Sequence, residues 1–447
     1  MEDDSVLPPY TVAMQPEEAR ELAQHGSSLL LLDVPPATLF GIDLKMFTTG
    51  PKFKGVKMIP PGPHFVYYSS ASRHGSDFAP ITGFFIYATP SKVFVRRWDL
   101  QEECLVQLFD EDEEERLSNA VKTFQFDREL GPYDVHHFKT WQHLSKYITP
   151  STIEKLEPVG KDITVTAEGE LLEKNFQTMA ERQLTEQISR FQEIHSQKFA
   201  VQRKDFETTH NIHEDKQDLE SEKRKRGSGR CFYTPLPRRV HRPGTPANEL
   251  TTLNMDKSTM LEMVLEQHFG GSEDALMGEF QFSFIAFLMG QSLESFSQWK
   301  AFVSLMFSCE EAPLRTRTKL FVKFLGVLYF QLKQSLSPEL STREQYEQPT
   351  QPFLDTSWFC DDNFLWLLCK EMGPHERNIH NILQQEFFLL VKTSQPIDGD
   401  LLLQARRLEK LLQSCLGWNF EDLSNIGTED EYAPVILFED EGMEKLS

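Results

Sequence analysis

The stretch "FGIDLKMFTTGPKFKGVKMIPPGPHFVYYSS", residues 40–70, decides what kind of domain opens this 447-residue chain. Lys45, Lys52, Lys54 and Lys57 alternate there with apolar residues and with Gly50, Gly55 and Gly62, and Asp43 is its sole carboxylate. Gly50 and Gly55 have the spacing of a phosphate loop. Such a loop needs Lys and then Ser or Thr directly after its second glycine, with a helix behind them. Val56 stands there instead, and Pro60, Pro61 and Pro63 forbid the helix. Two readings remain. One is a Gly/Pro-shaped corner of a β-rich fold whose lysines are solvated. The other is a basic docking face for protein or RNA, with Phe53, Phe65, Tyr67 and Tyr68 as its rings. Alternation in "HFVYYSS" (64–70) points some of those rings inward, which weakens a stacking platform.

Around this stretch the pattern is β-rich. Strand candidates are "SSLLLLDV" (27–34), 64–70, "ITGFFIYA" (81–88) and "KVFVRRWDL" (92–100), short runs of apolar, β-branched and aromatic residues separated by Pro and Gly. A helix is predicted at 16–24, with Pro16 at its first position and Gly26 past its end. The acidic run "DEDEEE" (110–115) opens another, where its charge complements the helix dipole. Two more cover 136–148 and 151–158. From 161 to 250 the chain is charged and Pro-containing, and reads as a mobile linker. Beyond 251 the period becomes helical, in segments at 258–269, 273–290, 293–307, 315–336, 361–372, 378–392 and 400–417. The first of these is expected to start with a capping box from Thr259 to Glu262. Several are apolar around most of their circumference, which calls for a multilayer all-α domain. The predicted division is therefore 1–160 β-rich, 161–250 linker, 251–417 helical and 418–447 tail.

Composition limits the functional classes. Lys and Arg number 46 against 68 Asp and Glu, a formal charge of −22 that repels nucleic acid except at a local basic patch. Six cysteines show no CxxC spacing, so no zinc or redox site is read. The opening "MEDDSVLPPY" is no secretory signal and no apolar run has membrane length, so a soluble, intracellular protein with reduced thiols is expected. No G-x-S-x-G, H-E-x-x-H or kinase signature occurs, and His210 and His213 lack ligand partners nearby. No catalytic residue, metal or cofactor is therefore expected. "EKRKRGSGR" (222–230) is either a nuclear-localisation patch or a solvated charge run. Thr234 and Thr245 each precede proline in a basic, mobile context, and are candidate phosphosites beside Arg238, Arg239 and Arg242.

The tail carries the strongest functional pattern. In an extended chain Tyr432, Pro434, Ile436 and Phe438 face one way and Ala433, Val435 and Leu437 the other. Both faces are apolar, so the segment needs cover on two sides. Burying Val435, Ile436, Leu437 and Phe438 contributes roughly 6–12 kcal/mol, and ordering the segment costs a similar total at about 1–2 kcal/mol per residue. Such a balance fits a conditional docking strand; the alternative is a strand that completes the protein's own N-terminal sheet.

Several words of this sequence resemble one family. "FGID" (40–43), "GPKFKGVKMIPPGPHFVYYSS" (50–70), "RWD" (97–99), "LGPY" (130–133) and "EKLEP" (154–158) look like the N-terminal domain of the AAR2 family of cistron-splicing factors. "GEFQFSFIAFLMG" (278–290), "DNFL" (362–365) and "APVIL" (433–437) look like its C-terminal domain. The resemblance implies an α+β protein of two domains: a β-sandwich-like N-terminal domain with flanking helices, then an all-α, VHS-like helical array with an extended tail. It implies a protein without enzymatic activity or cofactor, monomeric alone, working in nucleus and cytoplasm on the precursor of the U5 small nuclear ribonucleoprotein. The implied partner is the spliceosome's large scaffold protein, held before its RNA helicase is loaded. The tail, through Tyr432, Val435, Ile436, Leu437 and Phe438, would add a strand between that scaffold's RNase H-like and Jab/MPN domains. No membrane or small-molecule partner is implied. The rival readings are direct RNA binding through Lys45, Lys52, Lys54 and Lys57, and a trafficking adaptor built on the helical array. The segment 175–226 looks longer than the family's usual linker.

Overall fold

The run "SSLLLL" forms β1 (Ser27–Leu32), and its leucines are buried on both sides. Leu29 and Leu31 point into a core shared with Phe40, Val66, Phe84 and Trp98, whereas Leu30 packs with Val95, Val121 and Leu130. A strand covered on both faces needs no polar alternation. The computed structural model of the protein describes residues 16–70, 79–108, 110–164, 230–237, 246, 253, 255–336, 387–394 and 398–416.

The N-terminal part begins with α1 (Pro16–His25), one residue longer than expected. Two five-stranded sheets follow. The first has the order β8-β7-β1-β4-β9, where β4 is Gly55–Ile59, β7 Val93–Asp99, β8 Cys104–Gln107 and β9 Gly131–Pro132. The second runs β10-β6-β5-β2-β3, with β2 Leu39–Ile42, β3 Lys45–Thr48, β5 Gly62–Ser69, β6 Thr82–Ala88 and β10 Ile163–Thr164. Every pairing in the second sheet is antiparallel, whereas the first contains the parallel pairs β1–β7 and β4–β9. The opening stretch is thus a β corner, as one reading held, and it contains the hairpin β2–β3 and strand β4. At Gly55, φ is +127° and a Cβ would lie 1.9 Å from the Leu29 carbonyl oxygen, so only glycine brings β4 this close to β1.

Outside the first sheet lies α2 (Glu111–Lys122), capped by the Asp110 carboxylate, which accepts from the amides of Asp112 and Glu113. Outside the second sheet lie α3 (Phe138–Ser145) and α4 (Pro150–Leu156) and then the C-terminal helices. These are α5 (Ser258–Phe269), α6 (Glu273–Leu288), α7 (Leu293–Phe307), α8 (Thr318–Leu336), α9 (Phe388–Thr393) and α10 (Gly399–Leu416). The expected helix at 361–372, and the part of 378–392 before Phe387, lie outside the described residues.

The start of α5 differs from the capping-box expectation. Asp256 accepts from the amide and hydroxyl of Ser258 and from the amides of Glu310 and Glu311, and its carboxyl is held below the ordinary range by those donors against the cost of burial. Thr259 lies within the helix, and Glu262 pairs with Arg317 at 2.7 Å. An ionised carboxylate with four donors outcompetes a threonine hydroxyl for the cap.

Strand β5 explains the layering. Val66 and Tyr68 face the first sheet, while Phe65 and Tyr67 face the helices. Phe65, Tyr67, Phe85 and Trp141 of the N-terminal half share one continuous core with Met277, Phe282, Phe302 and Leu408 of the C-terminal half. Two domains are present, but their apolar interiors merge.

Candidate functional site

The basic stretch comes first, because its lysines carried a docking reading. Lys45 faces Asp134 at 3.7 Å, Lys54 faces Glu129 at 3.3 Å and Lys57 faces Asp127 at 2.5 Å. One acidic segment, 127–134, therefore compensates three of the four lysines; Lys52 stands exposed. The rings do not form a platform either. Phe53, Phe65, Tyr67 and Tyr68 are all buried, and Tyr68 Oη accepts the Leu105 amide across the sandwich at 2.9 Å. Burial places the phenols of Tyr67 and Tyr68 above the ordinary tyrosine range. A base has no exposed ring to stack on in this stretch, which removes the main support for RNA binding there.

Asp43, the only carboxylate of the stretch, is 2% exposed and acts as an internal staple. Its Oδ2 lies 2.6 Å from His64 Nδ1 and accepts from Tyr133 Oη at 2.6 Å, and its Oδ1 accepts the Phe65 amide at 2.9 Å. His64 Nε2 is 2.7 Å from the Pro60 carbonyl, which can only accept, so that nitrogen carries a hydrogen. One proton then lies between Nδ1 and the Asp43 carboxylate. Burial first, and the Asp43 charge second, push the Tyr133 phenol well above its usual value. Asp43, His64 and Tyr133 join the β2–β3 turn, β5 and the end of β9 in one buried network. This is stabilising architecture with no opening for a substrate.

The seam between the halves is built by α6. A Cβ on Gly278 would lie 2.6 Å from the Tyr147 carbonyl oxygen, so glycine lets α6 touch the chain between α3 and α4. Glu279, 1% exposed, receives four hydrogen-bond donations. Thr234 gives its amide and its hydroxyl, each at 2.7 Å, Gln298 Nε2 donates at 3.1 Å and Lys155 Nζ at 3.3 Å. Gln281 is fully buried: its Oε1 accepts the Tyr147 amide at 2.8 Å and its Nε2 donates to the His143 carbonyl at 2.9 Å. It thereby satisfies backbone groups left over at the end of α3. Phe282 stacks on Phe85 with centroids 4.3 Å apart.

Residues 230–237, expected in the mobile linker, form a strap across this seam. The Phe232 amide donates to the Leu156 carbonyl at 3.0 Å, Tyr233 Oη meets Ser295 Oγ at 2.6 Å and Arg230 pairs with Glu294 at 2.9 Å. Thr234 is consequently 4% exposed rather than a mobile phosphoacceptor. Its hydroxyl already donates to a buried carboxylate, and a phosphate there would meet Glu279. Thr245 and the tail residues Tyr432, Val435, Ile436, Leu437 and Phe438 lie outside the described residues.

Sequence reasoning missed Glu279 and Gln281. Their signal was available: two long polar side chains inside a helix otherwise apolar all round must each find partners. Among the described residues no group of three or more His, Cys, Asp or Glu side chains is arranged to hold a metal ion. No described helix is long and apolar enough to cross a membrane.

Comparison with known sequences agrees with this two-part architecture. The model described as AAR2 N-terminal domain matches residues 25–158, and that described as AAR2 C-terminal repeat region matches 233–421. Protein AAR2 homolog of Homo sapiens is 29% identical over 435 residues, covering 97% of this chain and 99% of its own length. The Mus musculus homolog is 32% identical over 72% of this chain and 79% of its own, and that of Caenorhabditis elegans 33% identical over 72% and 83%. The chain belongs to the AAR2 family.

Proposed function

We propose that this protein is a non-enzymatic assembly factor of pre-messenger-RNA splicing. It holds the large scaffold protein of the U5 small nuclear ribonucleoprotein precursor and delays loading of the RNA helicase, in nucleus and cytoplasm. What supports this reading is the match of both halves, in order, to the AAR2 family, together with the splicing role that the sequence resemblance implies. The mechanism is occupancy. Residues 432–438, apolar on both faces, add a strand between the scaffold's RNase H-like and Jab/MPN domains, and six flanking carboxylates tune the contact. The body supports that contact by holding its two halves through the α6 seam, so that surfaces on both meet the scaffold at a fixed separation. Fixed geometry lowers the ordering cost of binding.

The test is deletion of residues 430–447. The truncated protein is expected to keep the melting temperature of the full chain and to lose co-elution with the scaffold's RNase H-like and Jab/MPN domains in size-exclusion chromatography. Undiminished co-elution would reject the tail mechanism.

A further inference from the structure

A second basic region lies outside residues 40–70, where α3, α8 and α10 meet. The His143 ring stacks on Phe330 with centroids 3.8 Å apart and planes 3° from parallel. The Arg407 guanidinium lies 3.9 Å from the Tyr329 ring centroid and 5.2 Å from that of Phe330. Lys146, one turn beyond His143, and Arg407 are exposed, and Leu403, one turn before Arg407, is 61% exposed. Lys146 and Arg407 thus stand as cations beside the rings of His143, Tyr329 and Phe330, with an apolar edge at Leu403.

This cluster lacks the local compensation that surrounds Lys45, Lys54 and Lys57. Neither α3 nor α8 contains an Asp or Glu. On α10, Glu409 is buried and turned to Lys392 at 2.6 Å, and Asp400 is two turns from Arg407. No ion pair of His143, Lys146 or Arg407 occurs among the described residues. Partial burial, then Lys146, then Arg407 lower the His143 pKa below its ordinary value. In a chain with a formal charge of −22, an uncompensated positive face is a conspicuous exception.

We propose that the face formed by His143, Lys146, Tyr329, Phe330, Leu403 and Arg407 docks an acidic polypeptide segment that carries an apolar anchor. Charge complementarity selects an anionic partner. The stacking favours protein over RNA: His143 takes one face of Phe330 and Arg407 one face of Tyr329, so those faces are closed to a base. A stacked guanidinium keeps its in-plane N–H donors, and these match a carboxylate in a two-pronged contact. Leu403 offers an apolar contact beside it. The proposal goes beyond the splicing reading, because it uses neither the tail nor the N-terminal sheet.

The test is fluorescence anisotropy of the full chain with a labelled glutamate-rich peptide bearing leucine at every fourth position, and with an oligouridylate of equal length. The peptide is expected to bind at low salt and to weaken as salt rises. Lys146→Glu with Arg407→Glu should weaken it by about tenfold or more, and Arg407→Lys by about threefold through loss of the planar fork. Circular dichroism checks the fold. If the double variant does not fold, Lys146→Glu alone, at an exposed position, should still weaken binding about threefold. Absence of peptide binding, or binding indifferent to these changes, would overturn the proposal. So would tighter binding of oligouridylate through the same residues, or a dimer seen by light scattering that the double variant dissolves.

Discussion

Asp43 and Glu279 are both buried carboxylates ringed by donors, and they differ in where those donors come from and in how their cations are solvated. The groups around Asp43 belong to the N-terminal domain, and its histidine partner has no exposed side-chain surface. The groups around Glu279 come from α4, the 230–237 strap and α7, and the Lys155 side chain is 46% exposed. The first network fixes a corner of one domain. The second fixes one domain against the other. Burial alone therefore does not tell what a carboxylate stabilises; the origin of its donors does.

The largest expected effect breaks the first network. Asp43→Ala strands His64 and Tyr133 without their acceptor, and loss of one member of a fully buried pair costs about 3–5 kcal/mol. Urea unfolding should show that loss; a change below about 1 kcal/mol would mean the network is not stabilising. Glu279→Gln comes next. It puts a donor where an acceptor stood, opposite Thr234 or Lys155, but Lys155 can turn to water. The cost should be about 2 kcal/mol, with faster hydrogen exchange at the Thr234 amide than at amides inside α6. Equal acceleration at both sites would place the loss in α6 itself rather than in the seam.

A third change separates buried charge without partners from buried charge with them. Asp162 has a buried Oδ1 with no hydrogen-bond partner among the described residues. Burial raises its pKa from 3.8 to about 6, and the Arg96 charge opposes the shift. Arg96 itself lies over the Phe84 ring at 4.1 Å, and burial lowers its pKa. Between pH 3.8 and about 6 the folded state binds more protons than the unfolded state, so this group's contribution to stability falls as pH rises through that window. Asp162→Asn removes that slope. Its stability relative to wild type should improve from pH 4 to pH 7 by at most about 3 kcal/mol, read from urea midpoints across pH. A relative stability independent of pH would refute the shift.

The smallest effect belongs to the compensated lysines. Lys57→Ala removes a pair whose Asp127 side chain is 47% exposed. It should cost less than about 1 kcal/mol, and the difference should shrink in high salt. A larger, salt-independent loss would make that strip structural.

What the sequence disclosed follows the reach of each interaction. Strands at 64–70, 81–88 and 92–100 were readable because their residues are β-branched or aromatic and their ends carry Pro or Gly. Helices α6, α7 and α8 were readable from apolar content and the glycine after α6. The hairpin β2–β3 hid behind the lysines, whose acidic partners stand some 70–90 positions later in the chain. The strap at 230–237 read as linker because its prolines and arginines dominate a local window, whereas its anchors are Glu279, Glu294 and Ser295. Thr234 therefore looked mobile when it is the donor of two seam bonds. Local chemistry predicted elements; pairings across the chain decided which surfaces remain free.

The account rests on the two halves sharing one interior through α6, and differential scanning calorimetry of the full chain tests that most directly. A single transition, with calorimetric and van't Hoff enthalpies equal, is the predicted result. Two resolved transitions in the wild-type protein, one for each half, would contradict it.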